Sequence, residues 1–364
     1  MMEQEVRYMK LAIDMAKQMV GQTSPNPKVG AVVVRDGEIV GIGAHMKAGE
    51  DHAEVHALNM AGDKANGATM FVTLEPCSHF GKTPPCANLV IDRGISRIYV
   101  ATLDPNPVVA GRGVERLKQA GIDVHIGLLE EEATELNPFF NHFMKTSLPY
   151  VTLKAASSLD GKTATTTGES KWITGEEARR DVHHSRQEHD AILVGVQTII
   201  EDDPQLTTRL PFGGKNPTRI ILDTHLRIPR SAKVLNDREA QTLIITGSQV
   251  AMDQIEEIQS EYVQVIKLEA ESIQIRSLLE RMATIGITSI YVEGGATVHA
   301  SFVKERCFQQ LITYLAPKII GGFTSPSIIG GAGIKYMDEA VDLQTISFEQ
   351  IGDDLKIVSV LKEG

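Results

Sequence analysis

Cysteine is scarce in this 364-residue chain, which has three: Cys77, Cys86 and Cys307. So few exclude a disulfide framework and point to a reducing compartment. Basic side chains are outnumbered, 36 Lys and Arg against 47 Asp and Glu, for a net charge of −11. That balance argues against a broad nucleic-acid surface, while leaving room for a few cations that hold one phosphate. Aromatic residues make up 5% of the chain and tryptophan occurs once, too few for the stacking platforms of a single-strand binder. No apolar run approaches the roughly 20 residues of a membrane span. The first residues, Met1-Met2-Glu3-Gln4-Glu5, are acidic and polar, unlike a secretory leader. A cytoplasmic protein that binds neither nucleic acid nor membrane is the expectation. With 42% hydrophobic and 23% charged residues, the chain is ordinary globular material, long enough for two or three domains.

Against this background two of the three cysteines stand in a pattern. His52-Ala53-Glu54 is followed by Pro76-Cys77 and then by Cys86. One imidazole and two thiols make a zinc ligand set with a fourth position open, and three ligands plus water is the usual catalytic arrangement. The His-x-Glu then Pro-Cys order is the signature of zinc deaminases acting on nucleobase-like rings. Zinc lowers the pKa of bound water from about 15.7 to about 7. Glu54, two residues from the histidine, can sit beside that water without binding the metal. It can take the water's proton and pass it to the departing amine. The usual second half of the motif is Cys-x-x-Cys; here Ser78 to Pro85 separate the thiols. That stretch, Ser-His-Phe-Gly-Lys-Thr-Pro-Pro, is rich in turn formers and can loop out to return both sulfurs to one ion. His79 inside it is a rival ligand, read rather as a loop or substrate-facing side chain.

Hydrophobic spacing predicts a helix over 6–20 and a hairpin over 29–42 with its turn at Asp36-Gly37. Further elements are a helix over 53–61, a strand over 68–74, a helix over 86–93 and a strand over 98–101. His52, Glu54 and Cys86 then fall at helix starts and Cys77 just past a strand end. The expectation is an α/β sandwich with the site at the sheet edge. The character changes near residue 148, which divides the chain into domains 1–148 and 149–364. In the second, strand candidates are 150–154, 191–196, 219–222, 242–246, 289–292 and 310–315, and helix candidates are 175–187, 271–284 and 295–304. This alternation predicts a mostly parallel, doubly wound sheet.

Val292-Glu293-Gly294-Gly295-Ala296-Thr297-Val298 follows a strand and opens a helix, a plausible phosphate cradle or a plain structural turn. Trp172, in Gly168-Glu169-Ser170-Lys171-Trp172-Ile173-Thr174, either stacks on a planar cofactor or plugs the core. Ser157-Ser158-Leu159-Asp160-Gly161-Lys162 ends a strand in a turn. Glu201-Asp202-Asp203-Pro204 reads as the cap of another strand end, and His183-His184 as solvated helix surface. Cys307 reads as buried and inert.

Together, His52-Ala53-Glu54-Val55-His56-Ala57, the Pro76 to Cys86 stretch, Leu159-Asp160-Gly161, Trp172-Ile173-Thr174 and Val292-Glu293-Gly294-Gly295 resemble the bifunctional deaminase-reductases of riboflavin biosynthesis. The resemblance runs over nearly the whole chain, in order. It implies a cytidine-deaminase-like α/β/α sandwich, followed by a dihydrofolate-reductase-like α/β domain. It implies zinc-dependent deamination of a diaminopyrimidinone ribosylamine 5′-phosphate. NADPH reduction of the ribosyl group to ribityl follows. It places Asn26, His45, Lys82 and Asn106 around the deaminase substrate. In the reductase it places Ser170, Arg186, Leu206, Arg209 and Glu293 near substrate, with Lys154 a candidate for polarising C1′ or positioning sugar hydroxyls. Arg186 and Arg209 can pair with phosphate bidentately. Near NADPH it places Ala156, Trp172, Thr198, Asp202, Thr224, Gly295, Ala296, Thr297, Val298, His299, Ala300 and Ser301. A homo-oligomer, with a tetramer as one size, is a further family expectation. The glycine loop lacks a full dinucleotide fingerprint, which fits this type of reductase rather than a Rossmann dehydrogenase.

Two other readings stand beside this one. A nucleic-acid-editing deaminase with an accessory domain would need a basic groove, which the net charge opposes. A structural zinc module would need a fourth protein ligand, with His56 or His79 as candidates.

Overall fold

A computed structural model describes residues 2–78, 85–106 and 109–362. The chain divides into two compact units, Met1–Ser147 and Leu148–Gly364.

The first unit begins with helix α1 (Met2–Lys17), then a hairpin of strands β1 (Gly30–Arg35) and β2 (Glu38–Ala44). Its turn places Asp36 at φ 50° and Gly37 at φ 81°. That is the left-handed pair a tight hairpin needs, and Asp-Gly adopts it cheaply. Helix α2 (Ala53–Ala61), strand β3 (Thr69–Leu74), helix α3 (Cys86–Asp92), strand β4 (Arg97–Thr102), helix α4 (Arg112–Gln119) and strand β5 (Asp123–Ile126) follow. Two helices, α5 (Glu130–Thr134) and α6 (Pro138–Thr146), close the unit. The sheet order is β2-β1-β3-β4-β5. β1 runs antiparallel to β2 and β3, and β3, β4 and β5 run parallel.

Strand β1 shows why both faces are covered. Ala31 and Val33 join a core with Ala57 and Leu58 of α2 and Val90 of α3. Val32 and Val34 point the other way, into a core with Met9 and Ile13 of α1. A strand that is apolar up to its closing Arg35 buries both faces between helix layers, giving the expected α/β/α sandwich. Two glycines of β2 bring α2 close. A Cβ at Gly41 would lie 2.1 Å from the Ala57 carbonyl oxygen, and one at Gly43 would lie 2.2 Å from that of Ala53.

The second unit runs β6 (Tyr150–Ser158), α7 (Glu176–Glu188), β7 (Ala191–Gly195), α8 (Val196–Asp202), β8 (Thr218–Leu222), α9 (Lys233–Asn236), β9 (Thr242–Thr246), α10 (Met252–Glu256) and β10 (Val263–Lys267). It continues through α11 (Ile275–Thr284), β11 (Ser289–Gly294), α12 (Ala296–Lys304), β12 (Gln310–Ala316), β13 (Leu343–Ile351) and β14 (Asp354–Leu361). The sheet order is β10-β9-β8-β7-β11-β6-β12-β14-β13. The strands from β10 to β12 are parallel; β14 and β13 add an antiparallel edge. Chain direction across the sheet reverses where β11 inserts between β6 and β7. In open α/β sheets, ligands bind at the carboxyl ends of strands at such a switch point.

Two sequence expectations change here. Glu201 and Asp202 end helix α8 rather than a strand, and the Asp203 carboxylate accepts the Lys233 N–H at the start of α9 (2.8 Å). His183 is half-buried and only His184 is exposed, because α7 turns its His183 edge toward the sheet side occupied by Arg186.

Candidate functional site

In the first unit, His52 stands immediately before α2 in extended backbone and Glu54 lies in its first turn. Cys77 follows β3, and Cys86 is the first residue of α3, after Pro85. The ligand atoms of His52, Cys77 and Cys86 all lie within 4.8 Å of one another. His52 Nδ1 is 3.7 Å from Cys77 Sγ and 3.3 Å from Cys86 Sγ. The Cys86 backbone N–H donates to Cys77 Sγ at 3.2 Å. Hydrogen bonding to Cys86 holds the Cys77 thiol down at about 4, and the same pairing pushes Cys86 up. One of the two sulfurs, that of Cys77, is therefore already held as thiolate. His52 is raised, first by its bond to Cys77, against the opposing effect of burial. Two sulfurs and an imidazole around one point fit zinc. Among the described residues no fourth side chain joins the cluster. His56 lies outside it, and His79 lies outside the described residues.

Glu54 is 3% exposed. Burial pushes its carboxyl up to about 7, the range a group needs to give and take a proton at neutral pH. A cavity of about 580 Å³ opens beside it, lined by Asn26, His45, His52, Glu54, Cys77 and Asn106 among others. The structure thus brings together every deaminase residue expected from sequence that it describes. Lys82 lies outside the described residues.

Hydrogen bonds set the chemistry of this cavity. His45 Nδ1 is 3.1 Å from the Asp51 carbonyl and so carries the proton; His45 Nε2 then accepts from Asn26 Nδ2 at 3.1 Å. That leaves the Asn26 side-chain carbonyl as an acceptor for the cavity. Burial lowers His45, which keeps it neutral.

Two contributors escaped the sequence reading. Glu75, 6% exposed, accepts four backbone N–H groups: Asp104 (3.2 Å), Gly111 (2.9 Å), Gly113 (2.7 Å) and Val114 (3.0 Å). It thereby ties the segment carrying Asn106 to the end of β3. Phe140 and Met144, one turn apart on α6, form an apolar wall of the cavity. Asn137 anchors that helix by exchanging two hydrogen bonds with the Lys28 backbone, at 2.7 and 2.9 Å. Glu75 adjoins the Pro-Cys motif and could have drawn notice there; the Phe139-Phe140 pair was the only signal for the wall.

In the second unit, Glu293 and Lys154 lie one step beyond the paired residues Val292 and Leu153 of β11 and β6. Arg186 donates to Glu293 through Nε at 2.6 Å and Nη2 at 2.9 Å, and through Nη1 to the Thr207 carbonyl at 2.9 Å. Burial would raise Glu293, but the Arg186 guanidinium outweighs it and holds the carboxyl below its ordinary range. Burial lowers Lys154. The fork of Arg186, expected on phosphate, is engaged by Glu293. Arg209 is exposed, has no carboxylate partner among the described residues, and is the cation that remains for an anion. Burial, then Arg186 and Arg209, push His183 down to about 4. The Leu206 side chain sits in the core at 2% exposure, with φ 54°, so only its main chain is free for a ligand. Ser170 is half-buried in the loop leading to Trp172.

The residues expected near NADPH gather at the carboxyl ends of the parallel strands. Gly294 has φ 135°, which favours glycine, and Gly295 and Thr297 are exposed where α12 begins. A Cβ at Gly295 would meet nothing nearer than Thr198 Oγ1 of α8, at 3.9 Å. The first turn of α12 therefore presents unpaired backbone N–H groups to open space, an anion cradle. Thr224 follows β8, Asp202 ends α8, and Ala156 on β6 stands opposite Tyr314. Ala296 and Ala300 back onto Gly330 and Gly331, Val298 onto Gly195, and Ser301 bonds back to the Thr297 carbonyl. His299 is buried at 4%, between the Ile328 and Val292 carbonyls, so it supports the cradle from beneath.

A His-Cys-Cys cluster, half-buried at His52 and Cys77 and buried at Cys86, with an adjacent buried acid, and a parallel sheet with a helix N-terminus open at its switch point, define a zinc-dependent deaminase joined to an NADPH-dependent reductase. Residues 2–102 match the cytidine and deoxycytidylate deaminase zinc-binding region, and residues 149–357 match the RibD C-terminal domain. The chain is 52% identical to the riboflavin biosynthesis protein RibD of Bacillus amyloliquefaciens, covering 99% of this chain and 97% of that one. It is 39% identical to its Escherichia coli counterpart, covering 97% and 98%. An Acinetobacter baumannii RibD structure superposes with a TM-score of 0.90 at 38% identity, covering 100% of both chains. The chain belongs to the RibD family of bifunctional riboflavin biosynthesis deaminase-reductases. No helix among the described residues is long and apolar enough to cross a membrane.

Proposed function

We propose that the first unit replaces an amino group of a diaminopyrimidinone ribosylamine 5′-phosphate by oxygen, consuming water and releasing ammonia. The second unit then reduces the ribosyl group to give a ribitylaminouracil phosphate. A Thermotoga maritima relative, 36% identical with a TM-score of 0.89, is named diaminohydroxyphosphoribosylaminopyrimidine deaminase/5-amino-6-(5-phosphoribosylamino)uracil reductase. The observation that carries the reading is Glu54, buried beside the His52, Cys77 and Cys86 cluster, where burial pushes its carboxyl up to about 7.

His52, Cys77 and Cys86 would hold zinc, which when bound activates water at neutral pH. Glu54 takes a proton at its carboxylate and returns it to the departing amine. Asn26, oriented by His45, offers a fixed acceptor to the ring, and Asn106 offers a second polar contact. Lys82 is assigned to the phosphate. In the second unit, Gly295 to Ser301, Thr198, Asp202, Thr224, Ala156 and Trp172 would hold NADPH, which supplies the hydride when bound. Arg186 fixes Glu293 toward the ribose hydroxyls and Lys154 polarises C1′. Ser170, the Leu206 main chain and Arg209 complete the substrate contacts, with Arg209 on the phosphate. The enzyme works in the cytoplasm. It forms a homo-oligomer, a reading supported by the large apolar side chains Ile346 and Phe348, which β13 leaves exposed.

The test supplies the deaminated ribosylamino phosphate and follows NADPH absorbance. Oxidation is expected without zinc chemistry in the first unit; no oxidation would remove the reductase assignment. Light scattering of the same preparation measures the oligomer.

A further inference from the structure

We infer that Arg179 is a positioning residue of the reductase: it stacks behind Trp172 and holds the indole as a rigid wall of the cofactor cleft. The inference rests on the reading that the Trp172 loop faces NADPH.

Trp172 is the only tryptophan in the chain and is 63% exposed. An indole left open to water on a loop is free to rotate unless something holds it. The Arg179 guanidinium carbon lies 4.4 Å from the ring centroid. The same side chain donates through Nη1 to the Thr174 carbonyl at 2.6 Å. One side chain from the first turn of α7 thus grips both the indole and the main chain two residues beyond it. A planar guanidinium lies flat against an aromatic face, which an ammonium cannot do.

The rest of the loop is tied from three other elements. Lys318, beyond β12, donates to the carbonyls of Trp172 (2.9 Å) and Ile173 (2.7 Å). Lys171 pairs with Asp202 of α8 at 3.4 Å. The Gly175 N–H donates to Asp354 of β14 at 2.6 Å. The main chain of 171–175 is therefore immobilised around a side chain that remains exposed. Hydrophobic burial does not explain such an arrangement, since an indole gains most by entering the core. Presenting one preorganised face to a planar ring does, because a wall ordered in advance spares that cost on binding. The link from Lys171 to Asp202 ties this loop to α8, the helix that carries Thr198. The occupant is a planar heteroaromatic ring of the dinucleotide.

Because Trp172 is alone, its fluorescence reports this contact directly. Acrylamide quenching of the NADPH-free protein, energy transfer from indole to bound NADPH, and reductase kinetics are measured for wild type, R179M, R179K and W172A. R179M keeps the length of the side chain but loses the plane and the charge. It is expected to quench more readily and to raise KM for NADPH about two- to fivefold, with kcat unchanged, as loss of an exposed cation–π contact predicts. R179K, which keeps the charge without the plane, is expected to behave like R179M. R179M is expected to add nothing to KM in a W172A background. Unchanged quenching in R179M, with the fold intact by circular dichroism, would overturn the clamp. An unchanged KM in W172A would instead remove Trp172 from the cofactor site, and with it the role of Arg179 in reduction.

Discussion

Single side chains in this molecule act through what surrounds them. Glu54 is an ordinary carboxylic acid until burial pushes it up to about 7. Glu54→Gln keeps the volume and removes the proton exchange. Deamination should fall by roughly 10²–10⁴, the usual worth of a positioned acid-base. Zinc content should be unchanged, because Glu54 is outside the ligand set, and NADPH oxidation with the deaminated intermediate should persist. Metal loss in this variant would mean that Glu54 helps bind the ion. Glu293 shows the opposite sign. Arg186 holds it below the usual 4.5, so its ion pair stabilises the fold above that value and is lost as pH falls through the lowered one. Both partners are nearly buried, at 10% and 11% side-chain exposure. Glu293→Gln should therefore destabilise the protein near neutral pH by roughly 3 kcal/mol in urea unfolding. It should also flatten the loss of stability as pH falls below the usual 4.5; an unchanged acid limb would separate Glu293 from that transition. The grouping of His52, Cys77 and Cys86 with Glu54 beside it was legible in the sequence because chemistry restricts the residue types that can hold a metal. The engagement of Arg186 by Glu293 was not, since 107 positions separate the pair.

Elements were legible where one physical cause dominates. Helix α2 spans Ala53–Ala61 as its spacing predicts, and the hairpin turns at Asp36-Gly37. Strands β13 and β14 were missed because β13 is exposed along most of its length and has no buried alternation to read. Helices α4 and α6 also passed unread: α4 has few apolar residues, and α6 buries none of its side chains fully. Yet α6 supplies a wall of the deaminase cavity. The glycines of β2 carry a message that spacing cannot give. Gly43 allows the Ala53 carbonyl to approach, and Ala53 lies between His52 and Glu54. Gly43→Ala would force α2 outward at its first turn, displacing a ligand and the acid together. Zinc affinity should fall roughly 10- to 100-fold, as when the support of a metal ligand is disturbed. Competition with a chromophoric chelator measures this, and an unchanged affinity would mean that α2 does not depend on that contact.

At the scale of the whole molecule, each unit owns its sheet, its cores and its site. The metal cluster and its cavity draw every described residue from Met1–Ser147. The first unit's two cores, one on each face of its sheet, take no residue beyond Leu136. The second unit has three cores of its own, and its anion cradle, its Arg186–Glu293 pair and the Trp172 loop all fall after Leu148. Both pieces are within the size range of domains that fold alone. Expressed separately, residues 1–147 should bind zinc and deaminate, and residues 148–364 should oxidise NADPH with the deaminated intermediate. Each should unfold in one cooperative step. The decisive measurement is zinc-dependent ammonia release by the shorter piece. A folded, zinc-loaded fragment that releases none would show that the deaminase site needs residues from beyond Ser147, contrary to the closure of its cavity within one unit.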